Sequence, residues 1–166
     1  YKVTGVQTCA LSDLPRCRTW TGADVSGNML EHLRRRLAGL PQVRTVQLDG
    51  YSLAPIPDAS MDLVYCTVVF MHLEEWDRYA YICEGLRVLR PGGRMLVDNF
   101  NLLSDVGWQV FLENKEQYAP LERPPHISRA STPQELRAYF DRAGFEAVQQ
   151  REIERWILTW GRKPSG

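Results

Sequence analysis

Short β-type segments alternate with helix-type segments along most of the chain, and this alternation constrains the fold more than any other feature. Residues 63–70 read LVYCTVVF, an apolar and β-branched run typical of a central strand covered on both faces. Residues 76–89, which follow, carry apolar side chains at helical spacing. Strands that alternate with helices in this way predict an α/β fold with a doubly wound, Rossmann-like, mostly parallel sheet.

The remaining elements continue the pattern. Two closing strands, 147–153 and 156–160, are separated by a short turn, which predicts an antiparallel strand at the C-terminal end of the sheet. Ser26 and Thr132 are typical N-caps of helices, and Pro133 suits the first helical position. The other predicted strands are 19–23, 43–48 and 94–100, the last after a Pro-Gly-Gly turn, and a further predicted helix begins at Asp105.

Residues 1–14 do not fit this pattern. The stretch YKVTGVQTCAL has no clear period, and it resembles the translation of a sequencing-library adapter. We therefore expect a non-native leader at 1–14 and a single domain at 15–166 that is incomplete at its N-terminus. Sequence upstream of Leu14 that encodes a strand and a glycine loop would support this expectation.

Composition narrows the classes of partner. The chain has 20 Lys and Arg against 20 Asp and Glu, and this zero net charge argues against a nucleic-acid partner. No apolar run approaches the roughly 20 residues that a membrane span needs. The cysteines show no metal-binding spacing, so we predict no metal site and the reduced thiols of a cytoplasmic protein. Nothing in the sequence indicates an oligomeric state.

Carboxylates or backbone groups that could bind a ligand lie at the ends of three successive predicted strands. Asp24 ends the first strand, Asp49 and Gly50 follow the second, and 66–69 end the third. Ligands of open α/β sheets bind beyond the carboxyl ends of the strands. A carboxylate at Asp24 can accept both hydroxyls of a ribose, and one at Asp49 can accept from an exocyclic amine. Aspartate is also an ordinary turn residue, so each signal has a purely structural alternative.

Five motifs in order resemble class I S-adenosylmethionine-dependent methyltransferases of the small-molecule type. They are residues 22–26 (GADVS), 57–64 (PDASMDLV), 69–73 (VFMHL), 87–93 (RVLRPGG) and 143–145 (AGF). Met61 stands where the family usually has an aromatic residue. The resemblance covers roughly residues 17–163, and the order of the motifs is more specific than any one of them.

The resemblance implies S-adenosylmethionine as the cofactor and a small molecule as the substrate. It implies that successive strand ends bind the ribose, the adenine and the methionine part. The implied residues are Asp24 for the ribose; Val25, Met29, Asp49, Gly50 and Tyr51 for the adenine; and Thr67 and Val68 for the methionine part and the reactive methyl group. Arg87 and the Pro-Gly-Gly turn are implied to be structural. The three strand ends are predicted to meet at a common rim.

The family's glycine-rich G-x-G loop is absent from this sequence. Gly5 alone lies at the expected distance before Asp24, without a second glycine. Such a loop provides close backbone approach and a helix N-terminus for the ligand. We therefore predict that this chain binds S-adenosylmethionine very weakly or not at all, and that a sheet edge or face is left uncovered.

His72 and His126 are the candidate general bases. An imidazole with an ordinary pKa of about 6.5 suits removal of a proton from oxygen or nitrogen. Each is also an ordinary loop or helix-start residue, and positioning alone accelerates methyl transfer, so neither is obligatory. Trp108, Phe111 and Tyr118 belong either to a substrate lid or to a satellite hydrophobic cluster.

Two other functions stay open. In a nucleotide-binding oxidoreductase, Asp24 would bind the ribose of a nicotinamide cofactor, although no Tyr/Lys pair for hydride transfer is visible. In a non-catalytic Rossmann-like binding module, the absence of the glycine loop would be native.

Overall fold

The computed structural model describes residues 17–125 and 127–166. The chain divides into two compact units, Tyr1–Pro57 and Asp58–Gly166, which we call the N-terminal and C-terminal units. Among the described residues, no helix combines the length and the apolar character needed to cross a membrane.

The N-terminal unit contains a β-α-β motif. Its elements are β1 (Trp20–Asp24), α1 (Gly27–Arg36) and β2 (Val43–Gln47). The two strands are parallel, with Trp20 opposite Val43 and Asp24 opposite Gln47. Trp20 and Leu37 are buried together, and Leu33 and Val43 pack against them. The predicted N-cap is confirmed, since the Ser26 hydroxyl accepts a hydrogen bond from the Met29 N–H at 3.3 Å.

The C-terminal unit contains a four-stranded sheet and three α-helices among its described residues. Its elements are β3 (Met61–Cys66), a 3-10 turn (Phe70–His72), α2 (Glu75–Val88), β4 (Leu89–Phe100), α3 (Asp105–Gln117), α4 (Pro133–Ala143), β5 (Glu146–Ile153) and β6 (Trp156–Arg162). The strand order is β3-β4-β6-β5. β3 is parallel to β4, and β6 is antiparallel to both of its neighbours. The predicted α/β fold with an antiparallel C-terminal strand is confirmed.

The hydrophobic core of the C-terminal unit lies where α2 and α4 contact the sheet and each other. Its buried members come from both helices, three of the strands, the 3-10 turn and the connection before β5: Phe70, Ile82, Leu89, Met95, Val97, Leu136, Phe140, Phe145, Val148 and Ile157. The start of α4 follows the prediction, because the Thr132 hydroxyl accepts from the Glu135 N–H at 3.2 Å and Pro133 is the first helical residue. Gly144 ends the helix in a left-handed conformation.

The prediction for the third strand was wrong in two respects. β3 ends at Cys66 instead of continuing to Phe70, and Val68 leaves the extended region with a left-handed φ of 60°. Leu63 is 54% exposed, and β3 pairs only with β4 among the described strands. This strand is therefore not covered on both faces within the described residues, although its composition suggests that it is.

The Pro-Gly-Gly turn lies inside a strand instead of before one. β4 begins at Leu89, and the β3–β4 register shifts from Met61 opposite Leu89 to Leu63 opposite Arg94, which leaves the turn residues as a bulge. A Cβ at Gly93 would lie 2.9 Å from the Arg90 carbonyl oxygen. The bulge therefore requires glycine at this position.

Candidate functional site

Asp24 lies at the carboxyl end of β1, beside the end of β2. The Leu48 N–H donates to the Asp24 carbonyl at 2.9 Å. Asp49 is therefore the residue that follows the one bonded to Asp24. One side-chain oxygen of Asp24, Oδ1, accepts from the Ser26 N–H at 2.8 Å. Among the described residues, no hydrogen bond to its second oxygen is formed. That oxygen is available to a ligand hydroxyl.

Asp49 organises the turn that follows β2. Its Oδ1 accepts from the backbone N–H groups of Tyr51 and Ser52, each at 2.8 Å, and its Oδ2 accepts from the Ser52 hydroxyl at 2.9 Å. These hydrogen bonds, led by the one from Tyr51, lower the pKa of the Asp49 carboxyl below its usual value. A carboxylate has about four acceptor positions. Asp49 therefore remains ionised and keeps one position for an external donor.

Gly50 brings the two strand ends into contact. It has a φ of 94°, which favours glycine, and a Cβ built on it would lie 3.7 Å from Val25 Cγ1. Its N–H makes no hydrogen bond within the described part of the chain. Val25 is 55% exposed and Tyr51 is 74% exposed, and Met29 is half-buried on α1. Exposed apolar side chains thus lie on the same turns as two carboxylates.

These donor and acceptor groups fit an adenosine. Asp24 offers an acceptor for ribose hydroxyls, Asp49 offers one for an amine, and the Gly50 N–H can donate to a ring nitrogen. Val25 and Tyr51 offer apolar surface for the ring. The structure thus brings together five of the residues that the sequence predicted for cofactor binding, all within the N-terminal unit.

Of the three other predicted cofactor residues, Met29 lies on α1, and Thr67 and Val68 follow β3 in the C-terminal unit. The Val68 N–H donates to Oδ1 of Asp98 on β4 at 2.7 Å. Burial raises the pKa of the Asp98 carboxyl above its usual value, against the lowering effect of the Val68 N–H. Burial, followed by the charge of Asp98, raises the pKa of the Cys66 thiol to about 12. A common rim that joins these residues to Asp24 and Asp49 stays a prediction.

Asp98 was missed at the level of sequence. The signal that could have found it is a polar Asp-Asn pair, Asp98 and Asn99, inside the otherwise apolar run of β4. Because β3 and β4 are parallel and Cys66 lies opposite Val97, Asp98 falls at the same end of the sheet as Thr67.

His72 ends the 3-10 turn after β3 and is half-buried. Its backbone carbonyl accepts a hydrogen bond from Nη1 of Arg129 at 3.4 Å, and the same nitrogen donates to the Pro125 carbonyl at 3.4 Å. The Arg129 N–H also donates to the Met71 carbonyl at 2.7 Å. The segment around Arg129 therefore packs on the His72 turn. His126, the other candidate base, lies outside the described residues.

Arg78 of α2 is buried and was also missed by the sequence. Its guanidinium donates to the Phe70 carbonyl at 3.0 Å, to the Ser131 hydroxyl at 2.7 Å and to the Arg129 carbonyl at 2.9 Å. It also pairs with Glu135 of α4 at 3.1 Å. This network ties the segment after β3 to the segment before α4. Arg87, predicted to be structural, pairs with Glu84 at 2.7 Å.

The predicted lid residues lie on α3 and at its end. Trp108 and Phe111 stack with their ring centroids 5.1 Å apart, and both are exposed. Gly107 is the buried residue of this helix, and a Cβ there would collide with the Asn101 backbone. Tyr118 is half-buried. The aromatic pair is not part of the core cluster of this unit, and its role as a lid stays a prediction.

Comparison with known proteins decides the family. The sequence profile of the family described as "Methyltransferase domain" matches residues 3–97. The chain belongs to this methyltransferase family. S-adenosylmethionine is the cofactor, as the resemblance of the motifs implied.

Individual relatives agree with this membership. A malonyl-[acyl-carrier protein] O-methyltransferase of Methylococcus capsulatus is 33% identical over 119 residues, covering 69% of this chain and 40% of the relative. A demethylmenaquinone methyltransferase of Clavibacter sepedonicus is 31% identical over 162 residues, covering 87% of this chain and 64% of the relative. The chain thus spans less than two thirds of the length of either relative.

Solved structures share the fold. A SAM-dependent methyltransferase from Methanosarcina mazei superimposes with a TM-score of 0.72 at 18% identity, covering 95% of this chain and 87% of that one. At this identity the likeness concerns the Rossmann-like architecture alone.

Proposed function

We propose that the chain transfers a methyl group from S-adenosylmethionine to an oxygen or nitrogen of a small molecule. The observation that supports this proposal best is the pair of strand ends in the N-terminal unit. There Asp24, Val25, Asp49, Gly50 and Tyr51 offer the polar and apolar groups that an adenosine needs. Because the chain belongs to the methyltransferase family, we take the adenosine-containing ligand to be the methyl donor, S-adenosylmethionine.

In this proposal each residue binds or orients. The second oxygen of Asp24 accepts ribose hydroxyls, and the remaining acceptor position of Asp49 takes the adenine amine. The Gly50 N–H donates to the ring, and Val25 and Tyr51 cover it. When bound, the sulfonium cofactor supplies an activated methyl group that is transferred in line to a nucleophile. Correct positioning is worth roughly 7–11 kcal/mol in favourable cases, so no side chain is obliged to move a proton.

His72 is the proposed general base if the acceptor must lose a proton. It ends the 3-10 turn that comes after β3, and Arg129 donates a hydrogen bond to its backbone carbonyl. His126 stays the second candidate from the sequence. An asparagine at position 72 keeps the size of the side chain but cannot take up a proton near neutral pH. The pH profile of transfer therefore separates a base from a positioning residue at this site.

We propose the chemical class of the methyl acceptor from the names of the relatives. One relative is named for an acyl carrier protein substrate and the other for a quinone, and neither name refers to nucleic acid. The zero net charge of the chain agrees with a small-molecule acceptor. A cytoplasmic location stays a prediction from the cysteine pattern.

A transfer assay tests the proposal. Labelled methyl groups from S-adenosylmethionine are offered with malonyl thioesters or with demethylated quinones as acceptors, and incorporation is measured for the wild-type chain, Asp24→Ala and Asp62→Ala. Asp62 is an exposed aspartate of the C-terminal unit and is the matched control. At millimolar donor we expect weak incorporation that Asp24→Ala lowers roughly tenfold or more and Asp62→Ala leaves unchanged. Equal incorporation by both variants would contradict the role of Asp24.

The oxidoreductase alternative shares Asp24 with this proposal, so the ligand must separate the two. Thermal unfolding is followed with S-adenosylhomocysteine and with NAD. Stabilisation by S-adenosylhomocysteine alone supports methyl transfer, whereas stabilisation by NAD alone supports the oxidoreductase. The non-catalytic binding module is favoured if a chain extended upstream by a strand and a G-x-G loop is stabilised by neither ligand.

A further inference from the structure

Two arginines lie side by side on the face of the four-stranded sheet that points away from α2 and α4. Arg94 on β4 is directly opposite Arg162 on β6 in the antiparallel pair, and residues so paired have their side chains on the same face. The adjacent residues Met95 and Gly161 face the helices, so the arginines face the other side. Like charges directly opposite each other destabilise a sheet. This pair therefore needs a compensating negative charge.

The compensation within the chain is incomplete. Nη2 of Arg162 pairs with Oε2 of Glu146 on β5 at 3.3 Å. Nε of Arg162 is buried and donates no hydrogen bond within residues 17–125 and 127–166. Arg94 is exposed and makes neither a hydrogen bond nor an ion pair with any residue that the structure describes. One carboxylate thus serves two guanidinium groups, and unpaired donors of this kind call for an explanation such as a bound ion.

A bulge in β5 opens a cavity beside the arginine pair. The β5–β6 register shifts between Glu146 opposite Arg162 and Gln149 opposite Trp160, and Ala147 has a positive φ of 50°. The cavity has a volume of about 320 Å³. Its lining contains both arginines and four residues of β5 and β6: Arg94, Ala147, Gln149, Trp160, Gly161 and Arg162. Bulges are over-represented next to functional sites, where they redirect side chains.

The chemistry of this lining suits a phosphate group. A guanidinium binds phosphate through two parallel hydrogen bonds, and arginine is over-represented where phosphate is recognised. A phosphate presents three strong acceptor oxygens in different directions, so it can bridge two guanidinium groups. The amide of Gln149 adds a further donor, and the ring of Trp160 adds an apolar wall on which a flat ring can lie.

We propose that Arg94 and Arg162 form a phosphate-binding site at this bulge, with Gln149 and Trp160 as the other contacts of the ligand. The phosphate is either free or part of an ester with an aromatic ring. Four residues further along β4, and roughly 13 Å away in an extended strand, Asp98 marks the end of the sheet that is predicted to face the methyl donor. The phosphate site is therefore separate from the proposed function and does not depend on it.

Titrations with inorganic phosphate and with phenyl phosphate test the proposal in the absence of any cofactor. Amide and indole N–H chemical shifts are followed at about pH 8, where a phosphate ester carries two negative charges. The ionic strength is held at about 0.15 M, where the Debye length is about 8 Å. Arg94→Gln and Arg162→Gln, the two lining variants, each remove one guanidinium. Arg151→Gln removes an exposed arginine of β5 outside the lining and is the matched control.

We expect saturable shifts at Gln149, Gly161 and the Trp160 indole, with a Kd of about 1–10 mM. Each lining variant should raise the Kd roughly fivefold or more, because it removes charge-assisted hydrogen bonds to the phosphate. The control should leave the Kd unchanged, because its charge lies outside the cavity and is screened.

Glu146→Gln provides a change of the opposite sign. It removes the carboxylate that competes for Arg162, so we expect the Kd for phosphate to fall roughly threefold or more. An ion pair with a merely structural role would not produce this gain. Because Glu146 and Arg94 are exposed, their variants are expected to fold, and they decide the proposal if Arg162→Gln does not fold.

The two probes separate the sources of the phosphate. Tighter binding of phenyl phosphate identifies an aromatic phosphate ester as the ligand class, and equal or weaker binding identifies free phosphate. Shifts that do not saturate, or a Kd that rises as much in Arg151→Gln as in Arg94→Gln, would overturn the proposal and show an adventitious ion only. Saturable shifts that avoid the residues of the cavity would overturn it as well.

Discussion

The two units of this chain differ in the size of their described hydrophobic cores and in the burial of their polar side chains. Among the described residues, the N-terminal unit has a two-stranded sheet and a small cluster around Trp20 and Leu37, and Asp24 and Asp49 accept hydrogen bonds within the turns that follow β1 and β2. The C-terminal unit has four strands, a larger core and a buried polar network centred on Arg78. An isolated two-stranded sheet is marginally stable at best. The residues proposed to bind adenosine thus lie in the unit with the smaller described core, and we expect the other unit to contribute more to the free energy of unfolding.

The largest expected effect comes from the contrast between two arginine–glutamate pairs. Arg78→Met leaves the Ser131, Glu135 and backbone acceptors without their donor in a buried site, and we expect the free energy of unfolding to fall by about 3–5 kcal/mol. Arg34→Met breaks an exposed pair with Glu31 and is expected to cost about 0–1 kcal/mol. Urea denaturation of both variants measures the difference. Equal losses of unfolding free energy in the two variants would contradict the difference that we describe between the two units.

Two buried leucines compare the cores directly. Leu136→Ala in α4 and Leu30→Ala in α1 each remove a fully buried side chain, at a cost of about 2–5 kcal/mol where the cavity persists. We expect Leu136→Ala to accelerate amide hydrogen exchange throughout β4 and β6, because it weakens the core of the larger unit. Leu30→Ala is expected to accelerate exchange only within residues 17–57. Faster exchange in β4 caused by Leu30→Ala would show that the two units unfold together.

The helix caps provide the same substitution in both units. Ser26→Ala and Thr132→Ala each remove a hydroxyl that accepts a helix N–H, at a cost of about 0.5–2 kcal/mol. We expect Thr132→Ala to lower the denaturation midpoint, and Ser26→Ala to change mainly the local exchange of α1. The reverse pattern would place the limiting stability in the N-terminal unit.

The smallest expected effect is a difference in pH dependence between two aspartates. The pKa of Asp98 is raised, so the folded chain binds this proton more tightly than the unfolded chain, and stability is lost as pH rises through that pKa. The pKa of Asp49 is lowered, so its contribution is present above the usual value and is lost as pH falls. Relative to wild type, Asp98→Asn should therefore gain stability with rising pH, and Asp49→Asn should lose it. Parallel curves of unfolding free energy against pH would contradict both assignments.

What the sequence predicted correctly is local chemistry. Ser26, the Thr132-Pro133 start and the Gly144 stop each depend on residues within one helical turn, and the closing strands depend on one short connection. The pairing of Asp24 and Asp49 at adjacent strand ends followed from parallel strand order. The resemblance to the methyltransferase family, which is confirmed, predicted the identity of the cofactor.

What the sequence missed depends on contacts between distant residues. Asp98 and Val68 are 30 residues apart, and Arg78 and Ser131 are 53 apart. The apolar run at 63–70 gives no sign of a left-handed residue within it, because the composition of a strand reports burial and not the dihedral angles at which the strand ends. The Pro-Gly-Gly sequence predicts a turn, but it does not show that Gly92 and Gly93 form a bulge within β4, because a bulge depends on the register with β3.

The central claim is that the ends of β1 and β2 together bind one adenosine. Amide chemical shifts of the wild-type chain, Asp24→Ala and Asp62→Ala are followed during titration with S-adenosylhomocysteine. Because the G-x-G loop is absent, we predict weak saturation, at about 1 mM or above, with shifts at Val25, Gly50 and Tyr51. Asp24→Ala should raise the Kd roughly tenfold or more, and Asp62→Ala should leave it unchanged. Shifts that avoid these three residues, or an unchanged Kd in Asp24→Ala, would contradict the account.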